Sequence, residues 1–240
     1  MTSPVDVAPA VGEQPPSLKL AGRAALWIIA ITVLVFGGTL ALLFIPENPD
    51  QLAVPSIVLA VIVHAVLVLV ALRHVVRRSN SSWRSLGLVR PSWRLLHLLW
   101  QVPVVILAAL TVQLVTSLLT GGANDDAGGS MGDFAVGIHP TFAILAFVAI
   151  AVLTPLWEEM FFRGLLFGSI RGKWGVVLAI VITTALFSVV HAVLVLVPYF
   201  FTLGLGLALL RIFHRNLWGP LVLHVTINSI ASATILTALI

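Results

Sequence analysis

The segment Trp157-Glu158-Glu159-Met160-Phe161-Phe162-Arg163 places two carboxylates and a guanidinium inside an otherwise apolar stretch. Ionisable groups within membrane helices cost a few kcal/mol or more, so they turn inward, pair, and mark functional paths. Glu159 and Arg163 stand four apart with the acid first, the favourable order for an ion pair on one helix face, and are expected to form a structural pair. Glu158 projects about 100° away around the helix and has no partner in its own segment. A carboxylate set among Trp157, Phe161 and Phe162 is the candidate general base. Two more polar intrusions follow: His191, closing Phe187-Ser188-Val189-Val190-His191, and the run His224-Val225-Thr226-Ile227-Asn228. His224 and Asn228 are again four apart, so both side chains present to one face.

One Glu, two His and one Asn allow two chemistries, both ending in peptide hydrolysis. In the first, Glu158 with His191 deprotonates a water for attack on a carbonyl, while His224 and Asn228 donate hydrogen bonds to the developing oxyanion. In the second, Glu158, His191 and His224 coordinate a zinc ion whose bound water is the nucleophile. The metal reading is the weaker by spacing, since there is no HExxH and Asn228 is a better hydrogen-bond donor than zinc ligand. The cofactor expectation is therefore none, or one divalent metal. The chain has no cysteine, which removes disulfides, thiolate metal sites and a cysteine nucleophile.

These residues need helices inside a membrane to hold them. Of the 240 residues, 60% are hydrophobic and 9% charged, and the mean hydropathy is +1.12. A soluble domain carries about a quarter charged residues. A helix crossing about 30 Å of hydrocarbon needs roughly 20 apolar residues. Uncharged runs occupy Ala24–Pro46, Gln51–Leu72, Leu95–Asn124, Phe134–Trp157, Trp174–Leu210 and Asn216–Ile240. The fifth is long enough for two short helices joined near Val197-Pro198. The expectation is an all-α polytopic membrane protein of about seven transmembrane helices, with the active site among the last four. Residues 1–23, rich in proline, read as a flexible cytoplasmic tail; 24–133 hold helices 1–3 and 134–240 the catalytic helices 4–7.

Charge placement supports the count. Lys19 and Arg23, then Arg73, Arg77, Arg78, Arg84, Arg90 and Arg94, then Arg171 and Lys173, then Arg211 and Arg215 fall in alternate connections, leaving Arg163 alone of the 13 cations. The intervening loops carry Glu47, Asp50, Asp125, Asp126 and Asp133, the last three in or beside a Gly/Asp-rich connector, Gly121–Gly132. Basic residues concentrate in cytoplasmic loops, which predicts a cytoplasmic N terminus, an external C terminus and residence in the plasma (inner) membrane. The net charge of +4 and pI near 10.7 then point to anionic lipid headgroups at the cytoplasmic face and not to nucleic acid. Trp100, Trp174 and Trp218 read as interfacial anchors. His64, His97 and His139 read as interhelical hydrogen bonders. Counted from a cytoplasmic turn near Gly172, Glu158 and His191 lie at depths about one and a half turns apart, close enough to meet.

Taken in order on successive helices, Glu158-Glu159-xxx-Arg163, Phe187-xxx-His191 and His224-xxx-Asn228 resemble the motifs of the CAAX-protease and bacteriocin-processing (CPBP, or Abi) intramembrane proteases, which include the type II CAAX prenyl endopeptidases. The resemblance covers roughly Phe142 to Ser229. It implies an intramembrane endopeptidase acting on a membrane-associated protein or peptide. It further implies that Glu158 and His191 activate water and that His224 and Asn228 form the oxyanion site. Members are commonly labelled metalloproteases, and a metal-independent glutamate mechanism is also proposed. Two other readings fit parts of the pattern: a non-proteolytic scaffold or immunity protein, which needs Glu159–Arg163 but not Glu158, and a proton-coupled transporter. The transporter reading lacks the paired interrupted helices of inverted repeats.

Overall fold

A computed structural model describes residues 15–45, 49–121, 139–233 and 235–236, with the side chains of 49–51 excepted. The described residues fold into seven helices without strands: α1 (Leu18–Leu43), α2 (Pro49–Arg77), α3 (Leu98–Leu119), α4 (Pro140–Trp174), α5 (Val176–Val189), α6 (Val197–His214) and α7 (Trp218–Ser232). Short 3₁₀ turns, Trp93–His97 and Leu194–Leu196, lead into α3 and α6. Five spans are long and apolar enough to cross a bilayer, those of α1, α2, α3, α4 and α6. Their outer faces carry exposed apolar side chains such as Leu34 at 73% and Leu119 at 82% exposure. Such surfaces suit lipid, not water. The chain is an all-α polytopic membrane protein.

Three boundaries differ from those the uncharged runs suggest. Ser17 caps α1 by accepting from the Leu20 amide, so Leu18–Arg23, assigned from sequence to the tail, is already helical. The fourth helix does not stop at Trp157 but continues through the charged residues to Trp174, because Glu159 and Arg163 neutralise each other within it. The turn between α5 and α6 falls at 190–193, where Ala192 adopts φ 56°, and not at Val197-Pro198. Pro198 instead occupies the first turn of α6, where its missing N–H is harmless. Between α4 and α5 the chain turns at Gly175, whose φ of 88° a side chain would strain. Apart from Gly121, the connector Gly121–Gly132 lies outside the described residues, as do residues 1–14, Glu47 and Asp133.

The fourth helix is the hub. It packs against α1, α2, α5, α6 and α7, while α1 pairs with α2, and α6 with α3 and α5. Twice it widens into π-helical turns, at Ala149–Leu153 and Met160–Leu166. Each widened stretch offers a carbonyl to a side chain from another helix. Asn228 Nδ2 donates to the Ile150 carbonyl at 3.0 Å, and Arg211 Nε donates to that of Arg163 at 3.2 Å. Phe187, Leu207, Leu223, Leu165 and Leu72 fill the core around the second stretch. The arginine-rich connection between α2 and α3 is tied to the same end. Arg211 Nη2 donates to the Leu86 carbonyl, the Leu217 amide to that of Gly87, and the Trp218 indole to that of Val89.

Candidate active site

Burial without water forces the charges on α4 to find partners. Arg163 is wholly buried, and its Nη1 lies 3.1 Å from Glu159 Oε1. The rest of the guanidinium is held by a 3.3 Å donation from Nη2 to the Gly204 carbonyl of α6 and by the Phe187 ring face, 4.2 Å away. A cation over an aromatic face in a dry site gains further stabilisation. Arg163 therefore clamps Glu159, α5 and α6 together.

Glu159 has a second partner that its spacing to Arg163 did not reveal. His224 Nδ1 on α7 stands 2.8 Å from the same Oε1. A carboxylate paired with a guanidinium accepts, so His224 carries a proton on Nδ1. The opposite ring nitrogen, Nε2, is aimed at Glu158 Oε2, 3.6 Å away. The two adjacent glutamates thus flank one imidazole. Their surroundings differ: the Glu158 side chain keeps 11% exposure against 1% for Glu159, and Glu159 Oε1 takes two close partners whereas Glu158 has only the 3.6 Å approach to His224, the Oε2 of each being without a hydrogen-bond partner.

His191 follows α5, half-buried. Its Nδ1 is 2.7 Å from the Phe187 carbonyl. A carbonyl can only accept, so Nδ1 holds the proton and Nε2 is left as the acceptor. The ring stacks on Phe200 of α6, centroids 3.9 Å apart and planes 23° apart, and meets Phe187 edge-on at 4.8 Å. Phe187 also meets His224 edge-on, at 5.6 Å. The structure thus joins Glu158, Glu159, Arg163 and His224 directly and links His191 to them through Phe187. Asn228, half-buried one turn beyond His224, spends one amide N–H on the Ile150 carbonyl and has a second N–H to offer.

The divalent metal that the resemblance allows does not fit these residues as they stand. Among the described residues no three His, Asp or Glu side chains gather into a set able to hold an ion. The Nδ1 of each histidine is engaged, in His191 by Phe187 and in His224 by Glu159, which leaves Nε2 of each as the nitrogen able to ligate, but His191 has no hydrogen bond to Glu158 or His224.

Other residues around the site escape a reading based on charge and motif. Phe200 is indistinguishable in sequence from any apolar helix residue. Gln101 of α3 and His214 of α6 form a buried 2.8 Å hydrogen bond, a pair whose only signal is two polar residues in apolar runs. His64 bonds Thr32 at 2.9 Å and lies edge-on to Trp157 at 5.4 Å, so it joins α1, α2 and α4. His97 accepts from the Trp100 indole, and His139 from the Thr141 amide as the cap of α4. Trp100, Trp174 and Trp218 are exposed near helix ends.

Residues 140–230 match the family model described as type II CAAX prenyl endopeptidase Rce1-like. That segment runs from the first residue of α4 nearly to the end of α7 and contains every motif residue. The matched family model is of the kind that the three motifs resemble. Neither the curated proteins nor the solved structures compared with the chain match it. The family match and the apolar helices together make the chain an integral membrane protein with a CAAX-protease-like segment.

Proposed function

We propose that the chain is an intramembrane endopeptidase in which Glu158 and His191 take the proton of an attacking water and His224 and Asn228 stabilise the oxyanion. The observation that carries this reading is the unequal treatment of two adjacent glutamates. Glu159 is held through Oε1 by Arg163 at 3.1 Å and His224 at 2.8 Å, whereas Glu158 approaches His224 Nε2 only to 3.6 Å and keeps some exposure; the Oε2 of each is without a hydrogen-bond partner. A structural pair needs only the first; a base needs the second.

The remaining roles follow from which atoms are engaged. Glu159 fixes one proton on His224 Nδ1, and in the imidazolium form the second proton, on Nε2, is shared with Glu158 or turned toward a substrate carbonyl oxygen. The second N–H of Asn228 supplies another donor. His191 Nε2, freed by the Phe187 carbonyl, accepts from the water and later returns the proton to the leaving amine. The substrate is a membrane-associated protein or peptide, reached from the cytoplasmic side if the arginine-rich connections face the cytoplasm. A scaffold of the same fold would need Arg163 and Glu159 but would be indifferent to Glu158.

The test compares wild type with Glu158→Gln. Purified protein is assayed on prenylated and unprenylated C-terminal peptides, and membranes from expressing cells are compared for lost cleavage products. We expect cleavage to vanish in the variant while the thermal midpoint stays within a few degrees. Cleavage retained in the variant, or none by either protein on any substrate in cells, overturns the reading in favour of the scaffold. Chelation runs alongside with metal content measured. Activity lost on chelation and restored by stoichiometric zinc would reassign Glu158, His191 and His224 as ligands.

A further inference from the structure

A cavity of about 410 Å³ opens between the first turns of α1 and the last turns of α2, far in sequence from the motif helices. Its rim carries two cations, Arg23 on α1 and Arg78 at the end of α2, with the polar His74 beside Arg78, and its wall is apolar, with Leu26, Trp27 and Ala30. Arg23, Trp27 and Ala30 follow one another at i, i+4 and i+7, so one face of α1 passes from charge to hydrocarbon over about 10 Å. His74 and Arg78 are four apart and answer it from the neighbouring helix. All three polar side chains of the rim are exposed, and among the described residues none has a side-chain hydrogen bond or ion pair. Glu158 and Glu159 are occupied at the site on α4. The rim therefore has no anion of its own among the described residues.

We propose that this groove binds one anionic glycerophospholipid, its phosphate between Arg23 and Arg78 and an acyl chain along Trp27 and Ala30. Charge complementarity selects the headgroup, since each Lys or Arg near a surface favours an anionic lipid. The apolar wall beneath the rim selects a lipid over a free phosphate, because only a tail gains from covering Leu26 and Trp27. The site is independent of the proteolytic reading.

The full chain, purified and delipidated in mild detergent, is examined by native mass spectrometry with dioleoyl phosphatidylglycerol, dioleoyl phosphatidylcholine or inorganic phosphate. Wild type should retain the phosphatidylglycerol in preference to the phosphatidylcholine, and phosphate should not displace it. Arg23→Gln/Arg78→Gln should weaken phosphatidylglycerol binding about fivefold for each arginine removed. Arg84→Gln/Arg90→Gln, an equal loss of charge at exposed positions outside the groove, should leave it unchanged. Arg78→Gln alone serves if the double variant does not fold. Equal losses in both double variants would show a general surface-charge effect, displacement by phosphate would show a free-anion site, and equal retention of both lipids would remove the headgroup contact. Any of the three overturns the proposal.

Discussion

Replacing Arg163 by Met keeps a long apolar stem and deletes the guanidinium. Three contacts go with it: the 3.1 Å pairing with Glu159, the 3.3 Å donation to Gly204, and the stack on Phe187. The dominant cost is the carboxylate left behind. Glu159, 1% exposed, keeps only His224 Nδ1 as a partner. Breaking one side of a buried ion pair costs about 3–5 kcal/mol. At roughly 2–4 °C per kcal/mol for a chain of this size, the thermal midpoint should fall by about 6–20 °C. The reasoning makes a sharper demand on the double variant Glu159→Gln/Arg163→Met. Gln still accepts from His224 Nδ1 and leaves no charge uncompensated, so the double variant should melt well above Arg163→Met alone, even though it carries one change more. Melting of detergent-purified protein, followed by the return of monomer on size exclusion, measures both. A double variant no more stable than the single one would mean that the unpaired charge is not the source of the loss, and the clamp would reduce to packing.

Other consequences follow from the same contacts. Asn228→Ala should lower turnover by roughly 10²–10³, as removal of an oxyanion donor does, with KM little changed; a change confined to KM would place Asn228 in substrate binding. Phe200→Ala should free the His191 ring from its 3.9 Å stack and reduce kcat at an unchanged thermal midpoint, with Phe200→Tyr restoring most of it; equal activity in the alanine variant would show that the Phe187 carbonyl alone orients the ring. Gly206→Ala should destabilise the fold by about 1–3 kcal/mol, because a methyl there collides with the Val105 side chain of α3, and Val105→Ala should recover part of the loss. A neutral Gly206→Ala would show that α3 and α6 can separate without cost.

What the sequence discloses of the site depends on whether charge or shape does the work. Glu159 and Arg163 announce themselves by spacing, and the four-residue separations in the two later motifs place their side chains on common faces. The bond from His224 to Glu159 is hidden, because two helices 65 positions apart in sequence must first pack before their contact exists. Phe200 is hidden for another reason, since a ring that orients a histidine has the same hydropathy as one that meets lipid. The length of α4 misleads in an instructive direction. Ending an apolar run at its first charge stops the fourth span at Trp157, one residue before the pair that lets the helix go on. Likewise Pro198 suggests a break, yet a proline suits the start of a helix as well as an interruption, and the turn comes earlier.

The two π-helical stretches of α4 bear on how the chain enters its membrane. As α4 emerges during synthesis it carries an internal counter-ion, Arg163 four residues from Glu159, which softens the insertion cost of that pair from the outset. Other polar groups on α4 are less self-sufficient. Glu158 meets His224, the Ile150 carbonyl meets Asn228, and the Arg163 carbonyl meets Arg211, all supplied by α6 and α7, which are made last. Backbone groups without partners are costly in hydrocarbon. A nascent chain truncated before α6 should therefore hold α4 poorly in the bilayer and be a natural target for membrane quality control, while completion of α7 commits the bundle. The helix that holds both glutamates thus becomes at home in lipid only once later helices have packed against it.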